Sequence, residues 1–276
     1  MPLSRRQFLG TAIGLLGTGT AADAFLVEPR RVELARLDVP IPGLAPSLAG
    51  LRIAHVTDVH LHGGIHAAAA RVLELLDRER PEVVVLTGDI CERRQYLEDL
   101  TAFSRDARGT LGTFATMGNW ERYGGISPAD AGRAYQRAGV RLLHNEAAEV
   151  RFGTGRLQVV GLDDPVSGGP DPGSAWRQLG GDDPVLCLLH APGFVDQSPL
   201  REVPPPRLIL AGHTHGGQIR LPLVPPLLPT GCGRFLAGWY HDTVGPLYVS
   251  RGIGTADIRA RFRCPPELPI LTLRSA

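Results

Sequence analysis

The run Val83-Val84-Val85-Leu86-Thr87 has no polar face. So short a run, rich in β-branched residues, reads as a strand, and a strand apolar on both sides must be covered on both sides. That points to a layered α/β fold. Similar runs recur at 51–57, 113–117, 157–162, 185–189, 208–211, 247–250 and 270–273. Residues 67–80 have helical composition and stop before Pro81. Ser127 and Pro128 suit the N-cap and first position of a second helix, running to about residue 138. A Pro-punctuated stretch (Pro40, Pro42, Pro46) precedes the regular pattern. Strands first alternate with helices and then crowd together, so the expected fold is α/β with mixed sheets in one domain, over residues 31–276. No internal repeat is visible.

Composition supports a packed core rather than disorder. Of 276 residues, 43% are apolar and 21% charged, with a formal net charge of +1. There is no basic excess to bind nucleic acid and no acidic tail for a charged partner. Cys91, Cys187, Cys232 and Cys264 are widely and irregularly spaced, which argues against a zinc ribbon or a disulfide scaffold. They read as scattered small apolar residues, and a Cys232–Cys264 bridge would require an oxidising compartment.

Residues 1–30 read as a leader and linker rather than fold material. Arg5-Arg6 is followed by an apolar, Gly-rich run to Ala22 and by the small-x-small triplet Ala22-Asp23-Ala24. This resembles a twin-arginine export signal, with Gly10 in place of the usual Lys. Residues 8–22 number 15, short of the ~20 that span a bilayer. The expectation is export by the twin-arginine machinery to a periplasmic, extracytoplasmic or membrane-anchored location.

Candidate chemistry lies at the ends of the apolar runs. The first ends in Asp58-Val59-His60, the second in Gly88-Asp89 and the third in Gly118-Asn119. Two later runs end in His190 and in Gly212-His213-Thr214-His215. Ligands gather at the carboxyl ends of strands in α/β sheets, so these groups are expected to converge. Asp58/His60 and His213/His215 are i, i+2 pairs, and in extended chain such residues point to one side. Glycines at 88, 118 and 212 let the backbone turn and approach closely. A further Gly-Asp, at Gly181-Asp182, follows no apolar run and is assigned to a turn. Mixed imidazole and oxygen donors without thiolate suit Mn foremost, with Fe, Zn or Mg as alternatives. The donors Asp58, His60, Asp89, Asn119, His190, His213 and His215 are too many for one ion with an open position, and suit two divalent ions sharing a carboxylate.

That ordered set, DxH, GD, GN(H/W)-acid, H, GHxH, resembles the calcineurin-like metallophosphoesterase superfamily. The stretch Gly212-His213-Thr214-His215-Gly216-Gly217-Gln218-Ile219 looks like a subgroup of bacterial exported or membrane-associated phosphodiesterases. So do Leu247-Tyr248-Val249-Ser250-Arg251-Gly252-Ile253-Gly254 and Arg263-Cys264-Pro265-Pro266-Glu267. The likeness runs from residue 52 to the end. It implies a four-layer sandwich, two mixed β-sheets flanked by helices. It implies one metal on Asp58, His60 and His215, a second on Asn119, His190 and His213, and Asp89 between them. It also implies hydrolysis of a P–O bond by a hydroxide shared between ions roughly 3.5–4 Å apart.

One departure stands out. The superfamily usually has His after the Asn, where this chain has Trp120, and that His stabilises the transition state or protonates the leaving group. Indole donates one N–H but is no general acid. General acid catalysis contributes about 10²–10⁴-fold. His62, two residues beyond His60, is the first candidate to replace it, on the same extended-chain argument. His55 should face away from Asp58 as a satisfied core histidine, and His144 should lie at the surface. Asp163-Asp164-Pro165 reads as a turn, His241 as an ordinary loop residue with a place at the mouth of the site as the lesser alternative, and Trp239 and Tyr240 as lid or packing residues. Segments 163–184 and 216–246 read as long loops. The second is Pro-rich and carries Leu221, Leu223, Val224, Leu227 and Leu228, so it is either a lid or a loop folded on its own domain. This 221–228 stretch would suit a membrane surface or a lipid-linked phosphoester substrate. The leading function is therefore a metal-dependent phosphodiesterase. The rivals are a UDP-2,3-diacylglucosamine-type pyrophosphate hydrolase of lipid A synthesis and a catalytically idle metal-binding interaction module.

Overall fold

A computed structural model describes residues 19–276; Arg5, Arg6 and most of the apolar leader lie outside the described residues. The strands are β1 (Glu33–Ile41), β2 (Arg52–Val56), β3 (Val83–Thr87), β4 (Gly112–Thr116), β5 (Arg141–Leu142), β6 (Glu146–Phe152), β7 (Gly155–Gly161), β8 (Val185–Leu188), β9 (Leu208–Ala211), β10 (Gly238–Tyr240), β11 (Leu247–Val249) and β12 (Glu267–Ser275). The described residues make two six-stranded sheets, in the orders β1-β12-β2-β3-β4-β5 and β10-β11-β9-β8-β7-β6. Both are mixed: β2, β3, β4 and β5 run parallel, as do β7, β8, β9 and β11, while β12–β2, β6–β7 and β10–β11 are antiparallel.

Strand alternation explains why β3 has no polar face. Val83 and Val85 point into the core between the sheets, with Ile53, Leu186, Leu188, Leu208 and Leu210. Val84 and Leu86 point the other way, onto helices α1 (Ala67–Glu79), α2 (Leu97–Asp106) and α3 (Pro128–Arg137), which bury Leu75, Phe103 and Tyr135 there. The far face of the second sheet places Val160, Cys187 and Ile209 against Trp176, Phe194 and Phe235. The result is four layers, two sheets with helices outside, as expected.

Helix boundaries follow local chemistry. α1 ends at Arg80, whose left-handed φ of 47° closes the helix just before Pro81. Ser127 and Asp130 form a reciprocal capping box at the start of α3. Three elements have weaker sequence signals. β1 contains Pro40 and lies at a sheet edge, where a missing N–H costs no ladder bond. β6 returns on β7 through a tight turn at Gly153, φ 58°. α2 buries Thr101 and Ser104 beside Leu100 and Phe103, which interrupts its apolar stripe.

Residues 23–30 are not detached from the domain. They wind into the helical turns Asp23–Val27 and Glu28–Arg30. The buried Glu28 carboxylate accepts from Arg263 N–H and Cys264 N–H, and Ala24 C=O accepts from Arg261 N–H at 2.9 Å. The four cysteines are free and buried, with no Cys232–Cys264 bridge. Among the described residues no helix is long and apolar enough to cross a membrane.

Candidate metal centre

The strand ends converge, but not through extended chain. Asp58, His60, Asp89, His213 and His215 all have positive φ, between 49° and 70°. Such a conformation costs an L-residue roughly 1–2 kcal/mol. The i, i+2 pairs therefore bring their heads together through left-handed turns, which corrects the extended-chain argument. Strain concentrated in this way is a mark of a functional site. The loops after β2 and β3 run side by side: Asp58 N–H donates to Gly88 C=O (3.1 Å) and His60 N–H to Asp89 C=O (2.9 Å). Neither Gly118 nor Gly212 has room for a side chain. A Cβ would lie 2.2 Å from Asp89 Oδ1 in the first case and 2.1 Å from Thr57 Oγ1 in the second.

Two clusters of donors result, Asp58/His60/His215 and Asp89/His190/His213, each with its ligand atoms within 4.8 Å of one another. All six residues are buried. In the first, His60 Nε2 lies 3.1 Å from His215 Nε2, and His215 Nε2 lies 3.5 Å from Asp58 Oδ1. In the second, His190 Nε2 lies 3.1 Å from His213 Nδ1, from Asp89 Oδ2 and from Asn119 Oδ1. Asp89 Oδ2 is also 3.8 Å from His60 Nε2, so this one oxygen stands between the clusters.

The outward atoms are anchored. His190 Nδ1–H donates to Thr87 C=O (2.8 Å) and His213 Nε2–H to Thr230 C=O (2.8 Å). In the neutral rings this leaves His190 Nε2 and His213 Nδ1 as facing lone pairs, a repulsive contact that a cation or a proton between them relieves. His60 Nδ1 faces the Glu92 carboxylate at 3.4 Å. Such backing fixes the tautomer of a metal-binding imidazole. Asp58 accepts from Thr57 Oγ1–H (2.8 Å) and His213 N–H (2.9 Å). Asp89 Oδ1 accepts from Trp120 N–H (2.8 Å), leaving Oδ2 for the shared position.

Charge at the site is finely opposed. Burial works against the Asp58 and Asp89 carboxylates, but neighbouring imidazoles, His215 for Asp58 and His190 for Asp89, hold both below the usual range. His190 is raised well above an ordinary histidine because Asp89 outweighs its burial. Burial pushes His215 down to about 3, and burial with His190 lowers His213. A divalent cation bound here would compete with protonation of His190. The donor set and its backing fit a pair of divalent cations.

A cleft of about 290 Å³ opens onto the clusters, lined by Asp89, Asn119, Trp120, His213 and His215, with Leu228 on one wall. Trp120 meets His60 edge-on, ring centroids 5.4 Å apart. His62 does not line this cleft. Its Nδ1–H donates to His60 C=O (2.7 Å), its ring stacks on His66 at 6.0 Å, and it faces a separate pocket with Arg259. His60 has positive φ and lines that second pocket beside His62, so the two meet there and not at the cleft. His55 is buried, with Nε2 2.7 Å from Thr87 Oγ1. His144 pairs with Asp163, which also binds Arg122. His241 stacks on Trp239, which packs on Tyr248, and Gly181-Asp182 is an exposed bend.

Two supporting acids carried little or no sequence signal. Glu121, the acid of the GNW-acid motif, accepts from the N–H groups of Asp89 (3.0 Å), Ile90 (2.7 Å), Cys91 (3.2 Å) and Gly118 (2.9 Å), and so shapes the loop after β3. Burial and the Asp89 charge push it up to about 7, against the pull of those donors. Glu92, held between His60 and Arg259, has no local pattern that marks it.

A family model described as calcineurin-like phosphoesterase matches residues 51–217, a span that includes every donor named above. The chain belongs to that family. The calcineurin-like phosphoesterases use divalent metal ions, in keeping with the two donor clusters. The chain is 27% identical to the uncharacterized metallophosphoesterase YkuE of Bacillus subtilis, over 99% of this chain and 98% of that one. It is 29% identical to the phosphodiesterase YaeI of Escherichia coli, over 98% and 99%. Among solved structures, a 5'-nucleotidase precursor from Thermus thermophilus matches with a TM-score of 0.47 and 14% identity, covering 74% of this chain and 49% of that one.

Proposed function

We propose that this calcineurin-like phosphoesterase is a metal-dependent phosphodiesterase of the exported or membrane-associated subgroup, delivered beyond the cytoplasm by its twin-arginine leader. The observation that carries the reading is the shared carboxylate: Asp89 Oδ2 lies 3.1 Å from His190 Nε2 and 3.8 Å from His60 Nε2, between two donor clusters. The name of the YaeI relative supports a diester substrate.

When bound, a pair of divalent ions supplies Lewis acidity and a water activated for in-line attack on phosphorus. The protein's part is preorganisation. Thr57 and the His213 backbone hold Asp58, Trp120 N–H turns Asp89, and Thr87 and Thr230 fix the tautomers of His190 and His213. Trp120 walls the cleft without an ionisable proton, so esters whose leaving group departs unprotonated suit it best. A lipid-linked substrate, such as a UDP-diacylglucosamine, is the second reading, favoured by Leu227 and Leu228 on the cleft wall.

The test uses the full chain, stripped of metal and reloaded with Mn²⁺. Turnover of bis(4-nitrophenyl) phosphate that requires Mn²⁺ is expected. Preference for the UDP-lipid would select the second reading. Metal bound with no turnover of either would leave an idle binding module.

A further inference from the structure

Beside the metal cleft lies a second hollow of about 420 Å³, lined by Ile219, Leu221, Val224, Pro226, Leu227 and Ile258. Its size falls within the range of small-molecule sites. The two hollows share Gly217, Gln218, Leu227, Ala256 and Asp257, so one wall serves both. Two walls of the groove are tied to each other. Gln218 Nε2–H donates to Ala256 C=O (3.1 Å) and Ile258 C=O (2.9 Å), and its Oε1 accepts from Ala256 N–H (2.9 Å). This side chain straps segment 216–219 to segment 256–258. Around the groove apolar side chains face water: Leu227 is 94% exposed, and Leu221, Val224 and Ile258 are about half exposed. An exposed apolar cluster of this kind marks a binding surface.

We infer that the groove receives the apolar chain of a phosphorylated amphiphile whose phosphate sits at the Asp89 cleft. This deepens the phosphodiesterase reading and rests on it. The shared wall is what makes a single molecule the occupant: the two hollows adjoin at Gly217, Gln218 and Leu227, so a phosphate in one and an apolar chain in the other can belong to the same ligand. The groove's apolar lining gives a chain burial, and it offers little to a sugar or a nucleobase.

The experiment measures chain-length dependence on the Mn²⁺-loaded full chain. One arm follows turnover of 4-nitrophenyl phosphodiesters bearing methyl, butyl or octyl groups, kept below their aggregation concentrations. The other measures binding of methyl-, butyl-, octyl- and geranylphosphonate by calorimetry, which needs no turnover. KM and Kd should fall about threefold to fourfold per methylene until the groove is filled. In Leu221→Asp and in Gln218→Ala the octyl-to-methyl ratio should collapse towards one, whatever the rate on the methyl ester. Octyl and geranyl chains distinguish acyl from isoprenoid lipids, and a response to either supports the groove. A flat series in both arms, or a ratio unmoved in both variants, overturns it. Absence of turnover on every ester would sink the phosphodiesterase reading instead, and the phosphonate series would still decide the groove.

Discussion

Glu92→Gln should weaken one metal site and spare the other. Glu92 is buried, with Oε1 3.4 Å from His60 Nδ1 and 2.8 Å from Arg259 Nη1, while Oε2 accepts from Arg259 Nη2 at 2.8 Å. Burial works against its charge, but hydrogen bonds from His60 and Arg259 hold it down at about 2, so it is ionised at neutral pH. A carboxylate behind a ligating imidazole sets its tautomer and raises its basicity, and losing such a partner costs about 10–100-fold in metal affinity. Two features place Glu92 near the lower bound. The 3.4 Å contact is longer than a good hydrogen bond, and Arg259 already draws on the charge. The expectation is about tenfold, or ~1.4 kcal/mol, at the Asp58/His60/His215 cluster only. Isothermal titration of metal-stripped protein with Mn²⁺ reads both sites at once. Arg259→Gln, which keeps the carboxylate, should show a smaller loss. Equal weakening of both sites, or no change in either, would refute the assignment of Glu92 to His60.

Other consequences can be checked in parallel. Trp120→His should retain both metals and raise turnover on esters with poor leaving groups, compared by steady-state rates on phenyl and 4-nitrophenyl esters; a fall on all of them would give Trp120 a positive role. Gly118→Ala would set a methyl group 2.2 Å from Asp89 Oδ1, so metal content by elemental analysis should drop while far-UV dichroism stays native. Burial lowers His55 to about 3 from an ordinary 6.5, so the unfolded chain takes up a proton that the folded chain refuses. Stability from this group is complete above pH 6.5 and is lost at ~1.4 kcal/mol per pH unit as pH falls from there towards 3. Urea unfolding of His55→Gln between pH 4 and 7 should show a shallower acid loss than the parent; identical slopes would contradict the burial argument.

How much could be read beforehand follows from where each signal lives. β3, β8 and β9 announce themselves because strands covered on both faces tolerate almost no polar residue, and β2 and β4 remain legible despite buried His55, Thr113 and Thr116 because each closes on a polar group at its carboxyl end. β1 was illegible because its edge position admits Pro40, and α2 because Thr101 and Ser104 are buried within it. The donors were legible as polar groups closing apolar runs. Their convergence comes from positive φ at Asp58, His60, His213 and His215 in place of extended chain, which residue spacing alone does not mark. The same turn carries His62 out of the cleft. The Glu92–Arg259 pair spans 167 positions, and no local pattern reports a contact at that range.

The central claim is that one carboxylate joins two metal sites. Soaking crystals in Mn²⁺ and collecting at its absorption edge tests it directly. Two anomalous peaks are expected, one among Asp58, His60 and His215 and one among Asn119, His190 and His213, with Asp89 touching both. A single peak, or two peaks with Asp89 bound to only one, would contradict the account.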